Sequence, residues 1–569
     1  MDDLVAAARS WIAGDPDPAT RAELQALVDG GDTDELAERM AGTLEFGTAG
    51  IRGRVEAGSN RMNRAVVIRT TAGLAAYLLQ RGSGLVVVGR DARLSSEAFM
   101  ADTIGVLAAA GLPVRYVNDP IPTPVIAYAS LKLEARAAIV ITASHNPPQD
   151  NGYKVYDANG AQIIPPVDTD VAAAIAGVGP AATVPRLEPP FDHHLVAEVD
   201  ADIFAHYLDD LGAARPTTPE PGDLGITYTP MHGVGGRFVV EALGHFGYRN
   251  VEPVPEQFAP DGRFPTVAFP NPEEKGALDL ATAQAERDRS DLIIANDPDT
   301  DRLAVSTPRP GEGWRPLTGN QVGVLLGDYI LTHTTVASPI VINSIVSSPM
   351  LAAVAEHHGA GFAQTLTGFK WIWNAALDLE AEGRGRFVFG YEEALGYSVS
   401  RQVRDKDGIS AAVVFADLAA DARQAGTTVL GRLADLYRRH GVWVSTQENV
   451  IRPGTEGATE IADAMLRLAE RPPGEVGGYS VAKVTDYMVG AELRPHYLGA
   501  TPLVALDLGT DGRVLIRPSG TEPKLKVYVD LVAPAGAREP ADMERSLLDR
   551  ATELGRAIVD GLGFEDQPA

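Results

Sequence analysis

Short runs of β-branched residues alternate along most of the chain with longer stretches rich in Ala and Leu. One run covers residues 85–88 and another 138–141, and residues 95–110 between them have the composition of a helix. Each run is apolar throughout, as in strands that are covered on both faces. Strands that alternate with helical stretches in this way predict parallel sheets covered by helices.

The same pattern continues after a segment rich in Pro and acidic residues at 214–223, which we interpret as a linker. Further apolar runs lie at 226–228, 291–295 and 339–343. They predict a second and a third α/β unit.

The two ends of the chain have different patterns. Apolar residues near the N-terminus recur at helical spacing, so residues 1–40 predict a helical N-terminal extension. Near the other end, strands predicted at 514–516 and 525–529 bracket a turn of Pro, Gly and Ser. Strands so close together indicate an antiparallel pair and therefore a different architecture for the last unit.

The chain has 569 residues, which is enough for about four domains. Its 45% of apolar and 22% of charged residues are ordinary for a globular protein. We predict the following boundaries: an N-terminal extension at 1–40, α/β domains at 41–215, 216–318 and 319–449, and a C-terminal α+β domain at 450–569.

Charge and cysteine content exclude several classes of function. The formal charge of -27, from 49 basic and 76 acidic residues, repels nucleic acids and anionic membranes, so we expect neither as a partner. The absence of cysteine excludes disulfides, thiolate catalysis and cysteine zinc sites. The N-terminus is acidic where a secretory signal is basic, and no apolar run approaches the length of a membrane span. We therefore expect a cytoplasmic protein.

A candidate nucleophile follows the strand predicted at 138–141. Ser144 lies in residues 142–147, of sequence TASHNP, where α/β sheets present ligands. On its own, Ser144 is more simply interpreted as a helix or turn cap. A hydrolase is disfavoured because the segment lacks the glycines of G-x-S-x-G. Because neighbouring side chains on an extended segment diverge, we expect His145 to orient the loop or a phosphate rather than to deprotonate Ser144.

Three aspartates at alternate positions form a candidate metal site. Asp297, Asp299 and Asp301 lie in residues 296–302, of sequence NDPDTDR. Carboxylates so close repel each other unless a cation neutralises them, and oxygen ligands suit magnesium. The alternative is a solvated acidic turn. An EF-hand is excluded because Arg302 stands where that motif requires Gly; this arginine would instead reach a phosphoryl oxygen.

A third cluster lies between the two predicted C-terminal strands. It combines Arg517 with the hydroxyls of Ser519 and Thr521 and a turn at Gly520, a composition that suits a dianionic phosphate. An ordinary hairpin turn would explain the Gly and Ser, but not Arg517, Thr521 and the nearby Lys526 together. No Walker A sequence is present, so a nucleotide P-loop is not expected.

Weaker signals are cations near glycines and a pair of acids in an apolar loop. The acids begin at Glu392, where a carboxylate could accept hydrogen bonds from sugar hydroxyls. Each signal also fits an ordinary turn or helix end. The remaining candidates are Arg52, the basic segment 89–93, Lys154, Thr367, Gly368, Lys370, Arg404 and Lys406.

Taken together, these segments resemble the α-D-phosphohexomutase family, whose phosphoserine, metal, sugar and phosphate loops occur here once each and in family order. Residues 46–53 and 365–371 resemble the branch of phosphoglucomutase-2-like and phosphopentomutase-like enzymes and some bacterial phosphomannomutases. The resemblance implies an α/β fold of three related α/β domains with mixed sheets plus a C-terminal α+β domain, around a central cleft.

The resemblance also implies an activity. The expected enzyme is a phosphosugar mutase that interconverts the 1- and 6-phosphates of glucose or mannose through a phosphoserine and a sugar bisphosphate, with Mg²⁺ as cofactor. A phosphopentomutase is the alternative. Ala394 and Ala49 stand where many relatives carry serine, which leaves the choice of sugar open.

Roles follow from motif position in the family. Ser144 would carry the phosphoryl group and bind Mg²⁺ with the three aspartates. The other implied catalytic residues are Arg52, Lys154, Arg302 and Lys406. The implied substrate-binding residues are His145, Thr367, Gly368, Lys370, Glu392, Arg404, Arg517, Ser519, Gly520, Thr521 and Lys526.

Two other functions compete with this interpretation. Residues 292–301 approach the D-x-D-x-T/V signature of aspartate-nucleophile phosphatases, but Asp301 occupies the last position and Ser144 would have no role. A non-catalytic sugar-phosphate-binding protein is the second alternative, and it is disfavoured because every chemical group expected of the mutase is present. No oligomeric state is predicted from the sequence.

Overall fold

The computed structural model describes residues 2–47, 50–309, 311–519, 524–534, 536 and 538–564. The chain forms two compact units: Met1–Leu317 with Gly396–Asp417, and Thr318–Leu395 with Leu418–Ala569. Within the described ranges, no helix is long and apolar enough to cross a membrane.

Three helices precede the first sheet: α1 (Asp2–Gly14), α2 (Pro18–Gly30) and α3 (Thr33–Arg39). Asp17 caps α2 and Asp32 caps α3 by accepting backbone N–H groups at 2.9 and 3.2 Å. The helices pack around Leu24 and Leu36, and this small core includes Ala57, which lies beyond the first strand. The extension is therefore packed onto the first domain.

The first sheet is mixed and has six strands: β1 (Ile51–Arg54), β2 (Val86–Arg90), β3 (Val114–Tyr116), β4 (Ala137–Ile141), β5 (Asp150–Asp157) and β6 (Val196–Glu198). Their order is β1-β5-β4-β2-β3-β6. β2 pairs in parallel with β3 and β4, whereas β5 is antiparallel to β4 and β1. The accompanying helices are α4 (Arg64–Gln80), α5 (Ser96–Ala109), α6 (Thr123–Lys132), α7 (Val167–Ala176) and α8 (Ile203–Ala214).

The second sheet is also mixed, in the order β11-β10-β9-β7-β8. Its strands are β7 (Ile226–Thr229), β8 (Val251–Pro253), β9 (Leu292–Ala295), β10 (Ala304–Arg309) and β11 (Gly313–Pro316). β9 is fully buried and parallel to β7, as its continuous apolar sequence predicts. The helices of this domain are α9 (Gly235–His245), α10 (Pro255–Phe258) and α11 (Asp279–Asp288).

Three strands of the third sheet belong to the other unit. Its central strand β12 (Pro339–Ser344) pairs in parallel with β13 (Gly361–Thr365) and β14 (Arg386–Glu392). The helices before and between these strands are α12 (Gly319–His333), α13 (Met350–His357) and α14 (Phe369–Ala381). Two mixed sheets and this parallel core give the three α/β domains that the sequence predicts.

The segment Gly396–Asp417 belongs to the first unit, although the sequence predicts one continuous domain over 319–449. It contains β15 (Gly396–Ser398) and the start of α15 (Gly408–Gln424). Three of its buried aspartates each accept a 2.7 Å hydrogen bond from a tyrosine of the first unit: Tyr156 with Asp405, Tyr207 with Asp407, and Tyr248 with Asp417. These buried bonds cannot be seen in a linear reading of the sequence.

The last sheet is antiparallel, in the order β16-β22-β21-β20-β19. Its strands are β16 (Val442–Ile451), β19 (Lys483–Asp486), β20 (Val504–Asp507), β21 (Gly512–Pro518) and β22 (Lys524–Ala533); β17 (Glu475–Val476) and β18 (Tyr479–Ser480) form a separate hairpin. The helices are α16 (Val429–His440), α17 (Gly454–Glu470) and α18 (Pro540–Gly561). The antiparallel pairing of β21 and β22 is confirmed. The boundary predicted at 449/450 falls inside β16.

Candidate active site

Strand ends of the first unit bring the candidate catalytic residues together. Ser144 follows β4, and the three aspartates follow β9. Lys154 lies on β5 opposite Val140, and Arg52 lies on β1 opposite Gly152. The site is therefore formed by residues that follow the carboxyl ends of β4 and β9 and by residues on the antiparallel strands β1 and β5.

Ser144 is buried in a strained turn and bonded to an aspartate of the second domain. Its φ of 51° lies in the left-handed region, which few non-glycine residues adopt. Its backbone N–H donates to Thr142 Oγ1 at 2.8 Å, which helps to hold the turn. Its hydroxyl donates to Asp297 Oδ2 at 2.6 Å. The candidate nucleophile thus points into the carboxylate cluster.

His145 contacts Ser144, contrary to our expectation. Ser144 Oγ and His145 Nδ1 share a hydrogen bond of 3.1 Å. The expectation assumed an extended segment, whereas the left-handed backbone at Ser144 turns the two side chains towards each other. Burial, and then the cations Arg302 and Arg52, hold the pKa of His145 well below its usual range. The imidazole is therefore neutral at physiological pH.

The three aspartates form a buried group of oxygen ligands. Asp297, Asp299 and Asp301 are each 0% exposed, and one carboxylate oxygen from each lies within 4.8 Å of the others. Among the described residues, this is the group of acidic or histidine side chains that could hold a metal ion. Oδ1 of Asp299 and Oδ1 of Asp301 are buried without a hydrogen-bond partner. Unpaired buried carboxylate oxygens are costly, so these donors fit a hard cation.

Lysines neutralise part of this cluster. Lys154, itself 0% exposed, places Nζ 2.6 Å from Asp299 Oδ2 and 2.7 Å from Asp301 Oδ2. Lys406 Nζ lies 3.3 Å from Asp301 Oδ2. Although burial opposes charge on both carboxylates, Lys154 holds the pKa values of Asp299 and Asp301 below their usual range. These two aspartates therefore stay ionised.

At Asp297, the effects that raise the pKa outweigh those that lower it. Burial, followed by the charges of Asp301 and Asp299, raises its pKa well above the usual range. At Asp297 the burial and the charges of the two neighbouring carboxylates outweigh the opposing charge of Arg302. The unpaired oxygens of Asp299 and Asp301 are available to bind a divalent cation, which would favour the charged form of all three aspartates.

Two arginines lie beside Ser144 and the cluster. The backbone N–H of Arg302 donates to Asp297 Oδ1 at 3.0 Å, and its Nε is 4.0 Å from Asp297 Oδ2 and from Asp301 Oδ1. Arg52 Nη1 donates to Asn146 Oδ1 at 3.1 Å, in the Ser144 loop. Burial lowers the pKa of Arg52, but the group stays charged because its ordinary value is so high.

The sequence does not point to several residues that hold the aspartates and lysines of this cluster in place. Thr123, at the start of α6, donates from Oγ1 to Asp299 Oδ2 at 2.7 Å, and no motif marks it. Asp405 Oδ1 lies 3.3 Å from Lys406 Nζ. Gln162 Nε2 donates to Asp405 Oδ2 at 2.6 Å and so orients that carboxylate. Arg404, a predicted substrate ligand, donates to the carbonyl of Asn159 at 2.5 Å and so contacts backbone.

The second unit joins three segments that are remote in sequence. Arg517 Nη1 donates to Thr367 Oγ1 at 2.6 Å. The next backbone N–H, that of Gly368, donates to Glu392 Oε1 at 2.7 Å. Gly368 has a φ of 117°, which requires glycine. The candidate phosphate and sugar loops are therefore parts of one surface.

The remaining candidates in this unit lie around the same contacts. Lys370, in the first turn of α14, is only 9% exposed. Lys526 is paired opposite Arg517 across β21 and β22. The backbone N–H of Ser519 donates to the carbonyl of Lys524 at 2.7 Å. Gly520 and Thr521, also predicted to bind phosphate, lie outside the described residues.

The structure separates the two acids of the sugar loop. Glu393 Oε2 accepts hydrogen bonds from Ser347 at 2.9 Å and Ser344 at 3.1 Å, so it is engaged by the protein. Glu392 Oε1 accepts a backbone N–H beside Thr367. Of the two acids, Glu392 is therefore the one that lies beside the contact of Thr367 with Arg517.

Comparison with protein families matches four consecutive segments of the chain. "Phosphoglucomutase/phosphomannomutase, alpha/beta/alpha domain I" covers residues 43–180, domain II covers 205–311 and domain III covers 318–439. The "C-terminal domain" of the same series covers 482–546. These segments contain all the candidate residues of the two units.

Individual proteins are similar over nearly the whole chain. A Haemophilus influenzae protein named "Probable phosphomannomutase" is 39% identical over 494 residues, which are 86% of this chain and 96% of that protein. The phosphopentomutase of Mus musculus is 35% identical over 581 residues, with coverage of 94% and 92%. The open form of the phosphoglucomutase parafusin from Paramecium has the same fold, with a TM-score of 0.68 at 18% identity over 90% of this chain and 96% of that chain.

Proposed function

This chain belongs to the phosphoglucomutase/phosphomannomutase family and is a phosphosugar mutase, an isomerase that acts as an intramolecular phosphotransferase; from that premise we propose that Ser144 is its phosphoryl carrier. The observation that carries the proposal is the 2.6 Å hydrogen bond from Ser144 Oγ to Asp297, within a group of three buried aspartates. Phospho-Ser144 would donate its phosphoryl group to one end of a sugar monophosphate. The other phosphate of the resulting bisphosphate would then return to Ser144.

Burial suits a phosphoserine that must transfer to sugar and not to water. Ser144 is only 1% exposed, and its turn is fixed by Thr142. Exclusion of water limits hydrolysis and strengthens the electrostatic interactions in the site. The neutral His145 beside Oγ would accept the serine proton when Ser144 attacks a phosphate of the bisphosphate, and would return a proton to Oγ when the phosphoryl group departs.

Fixed cations would stabilise the transition state, in which negative charge spreads over the oxygens of the transferring group. Arg52 and Arg302 lie beside Ser144 and Asp297, and Lys154 neutralises Asp299 and Asp301. When bound by the three aspartates, Mg²⁺ would supply further positive charge at the phosphoryl oxygens.

The phosphate and sugar loops would bind the part of the substrate that does not react. Arg517 and Ser519, with Gly520 and Thr521, would bind its phosphate, and Lys526 adds charge opposite Arg517. Glu392 would accept hydrogen bonds from sugar hydroxyls, beside Thr367 and Gly368. Lys370 and Lys406 are the candidates for moving the substrate's proton, since each is nearly buried.

We propose hexose phosphates of glucose or mannose as substrates, with the sugar 1,6-bisphosphate as intermediate and activator. The similarity to the Haemophilus influenzae protein supports this choice. A phosphopentomutase is the second candidate, supported by the similarity to the mouse enzyme. Hexoses and pentoses differ by one carbon, and the placement of the sugar-binding loops would decide between them. The cysteine-free, acidic sequence supports a cytoplasmic location.

Trapping the phosphoenzyme tests the carrier. Enzyme mixed with ³²P-labelled glucose 1,6-bisphosphate should retain acid-stable label on Ser144, and Ser144→Ala should lose both label and turnover. Ser130→Ala is the matched control, because Ser130 is a buried serine whose hydroxyl donates to the carbonyl of Ala127 within α6. Hydroxylamine-sensitive label on Asp297, with none on Ser144, would favour the aspartate-nucleophile phosphatase. Unchanged turnover of Ser144→Ala would reject the assignment altogether.

A second experiment tests the sugar. Values of kcat/KM for glucose 1-phosphate, mannose 1-phosphate and ribose 1-phosphate should be compared, each with its matching bisphosphate. We expect activity on at least one hexose phosphate. Strong pentose activity with none on either hexose would establish the alternative.

A further inference from the structure

Arg93 lies beneath the Ser144 loop and bonds to its backbone. Nη1 donates to the carbonyls of Pro147 and Asp150 at 2.7 and 2.8 Å. Nη2 donates to the carbonyls of Ser144 and Asn146 at 2.7 and 2.5 Å. One side chain therefore satisfies four carbonyls of a seven-residue segment.

The guanidinium is itself held from several sides. Its side chain is 1% exposed, and Nε lies 3.3 Å from Asp91 Oδ2. Asp91 Oδ1 accepts the backbone N–H of Arg93 at 2.9 Å and the hydroxyl of Ser96 at 2.6 Å. The ring of Phe264 lies 5.3 Å from the guanidinium carbon. These contacts leave Arg93 little freedom to move independently of the loop.

A loop of the second domain packs against Arg93. A Cβ on Gly262 would lie 2.5 Å from the carbonyl oxygen of Ala92 and 2.8 Å from Cα of Arg93, so only glycine fits that approach. The same loop contributes Phe264. The Ser144 loop and its arginine are thus fixed to the domain that carries the metal-binding aspartates.

We propose that Arg93 is a positioning residue that holds Ser144 in its strained, reactive conformation. This inference rests on the proposed role of Ser144. A serine with a φ of 51° needs surrounding bonds to hold it there, and Arg93 supplies one directly to the Ser144 carbonyl. The planar fork of an arginine can reach four carbonyls at once, whereas the single ammonium group of lysine cannot. The arginine also places a permanent charge behind the phosphorylated side chain.

Single-turnover kinetics distinguish positioning from general stability. Arg93→Lys is labelled from ³²P-glucose 1,6-bisphosphate and then chased with sugar monophosphate in a rapid-quench instrument. We expect full labelling but a rate constant for phosphoryl loss that is lower by about tenfold to 100-fold, because small misplacements of reacting groups have effects of this size. KM for the sugar phosphate should change by less than about threefold, since the residues of the proposed phosphate clamp belong to the other unit. Arg115→Lys is the control, because the guanidinium of Arg115 donates to the adjacent carbonyl of Val114 and not to the Ser144 loop.

The outcomes separate the two hypotheses. A lower fraction of labelled enzyme with an unchanged rate constant would mean that Arg93 only stabilises the fold, and would overturn the inference. So would wild-type amplitude and wild-type rate. Failure of the unsubstituted enzyme to take label on Ser144 would instead reject the carrier. In Arg93→Ala, free guanidinium should restore the rate more than ammonium does at equal ionic strength; equal effects of the two ions would contradict a role for the planar fork.

Discussion

Lys154 Nζ lies 2.6 Å from Asp299 Oδ2, and neither side chain is exposed to solvent. The same ammonium lies 2.7 Å from Asp301 Oδ2. Lys154 is therefore the fixed cation that allows two buried carboxylates to remain ionised beside a third. Its position on β5, opposite β4, also connects the candidate metal-binding aspartates with the strand that leads to Ser144.

Replacement of Lys154 by methionine should destabilise the protein. Removing one partner of a buried ion pair leaves an uncompensated charge and costs about 3–5 kcal/mol. Differential scanning calorimetry should show a clear fall in the midpoint of the unit that contains Ser144. Lys132→Met is the control, since Lys132 and its partner Asp210 are 45% and 46% exposed and such pairs contribute about 0–1 kcal/mol. Equal shifts for the two variants would contradict the electrostatic role of Lys154.

Magnesium should stabilise the protein through the same aspartates. A ligand that binds only the folded state adds about 2.7 kcal/mol at a concentration 100 times its dissociation constant. The thermal midpoint should therefore rise on addition of Mg²⁺ and fall on chelation, and Asp297→Asn should weaken this response strongly. Asp288→Asn, at the exposed end of α11, should respond like the unsubstituted protein. A Mg²⁺ response that survives in Asp297→Asn would place the ion elsewhere.

The local motifs were predictable, but several of their partners were not. Ser144 and the aspartates follow apolar runs whose composition alone indicates buried strands, and each motif is continuous in sequence. Thr123 bonds to Asp299 across 176 residues, and a linear reading carries no signal for such a pair. The contact between Ser144 and His145 was missed because a positive φ at serine cannot be read from residue type.

The domain boundaries show the same limit. Alternation of strands and helices predicted the α/β sheets and the antiparallel C-terminal pair, because burial on both faces and short connections leave a pattern in the sequence. Gly396–Asp417 has no such pattern to show which unit it joins. Its place is decided by hydrogen bonds to Tyr156, Tyr207 and Tyr248, which lie 169 or more residues away.

The two neighbouring acids of the sugar loop should respond differently to substitution. Glu392→Gln should lower kcat/KM for the hexose phosphates by about tenfold to 100-fold, because a hydrogen bond to a charged group contributes about 1.5–3 kcal/mol. Glu393 is bonded to Ser344 and Ser347, so Glu393→Gln should affect stability more than catalysis. Steady-state kinetics and calorimetry on the pair measure both effects. A larger catalytic loss in Glu393→Gln would reverse our assignment of the sugar ligand.

The phosphate clamp should act on binding more than on the chemical step. Arg517 reaches Thr367, which lies beside the Glu392 contact. Arg517→Met should therefore raise KM for the sugar phosphate with a smaller change in kcat, and Thr367→Val should show a weaker effect in the same direction. Arg452→Met is a suitable control, since Arg452 lies in the same unit and pairs with the exposed Glu460. An unchanged KM in Arg517→Met would exclude this residue from the clamp.

Replacement of Arg215, which bonds to Asp417 in α15, should make the free energy of unfolding depend on pH. Arg215 Nε donates to the fully buried Asp417 at 2.8 Å, and Tyr248 donates at 2.7 Å. Burial already raises the pKa of Asp417, so Arg215→Met should raise it further and destabilise the folded state at neutral pH by about 3–5 kcal/mol. A carboxyl whose pKa is higher when folded binds protons more tightly in the folded state, so this deficit should shrink as the pH falls through the raised value. Thermal midpoints measured across that range test the sign.

Arg432→Met, which breaks the partly exposed pair with Asp421, should show only a small deficit with little pH dependence. A deficit in Arg215→Met that grows as the pH falls would contradict the argument.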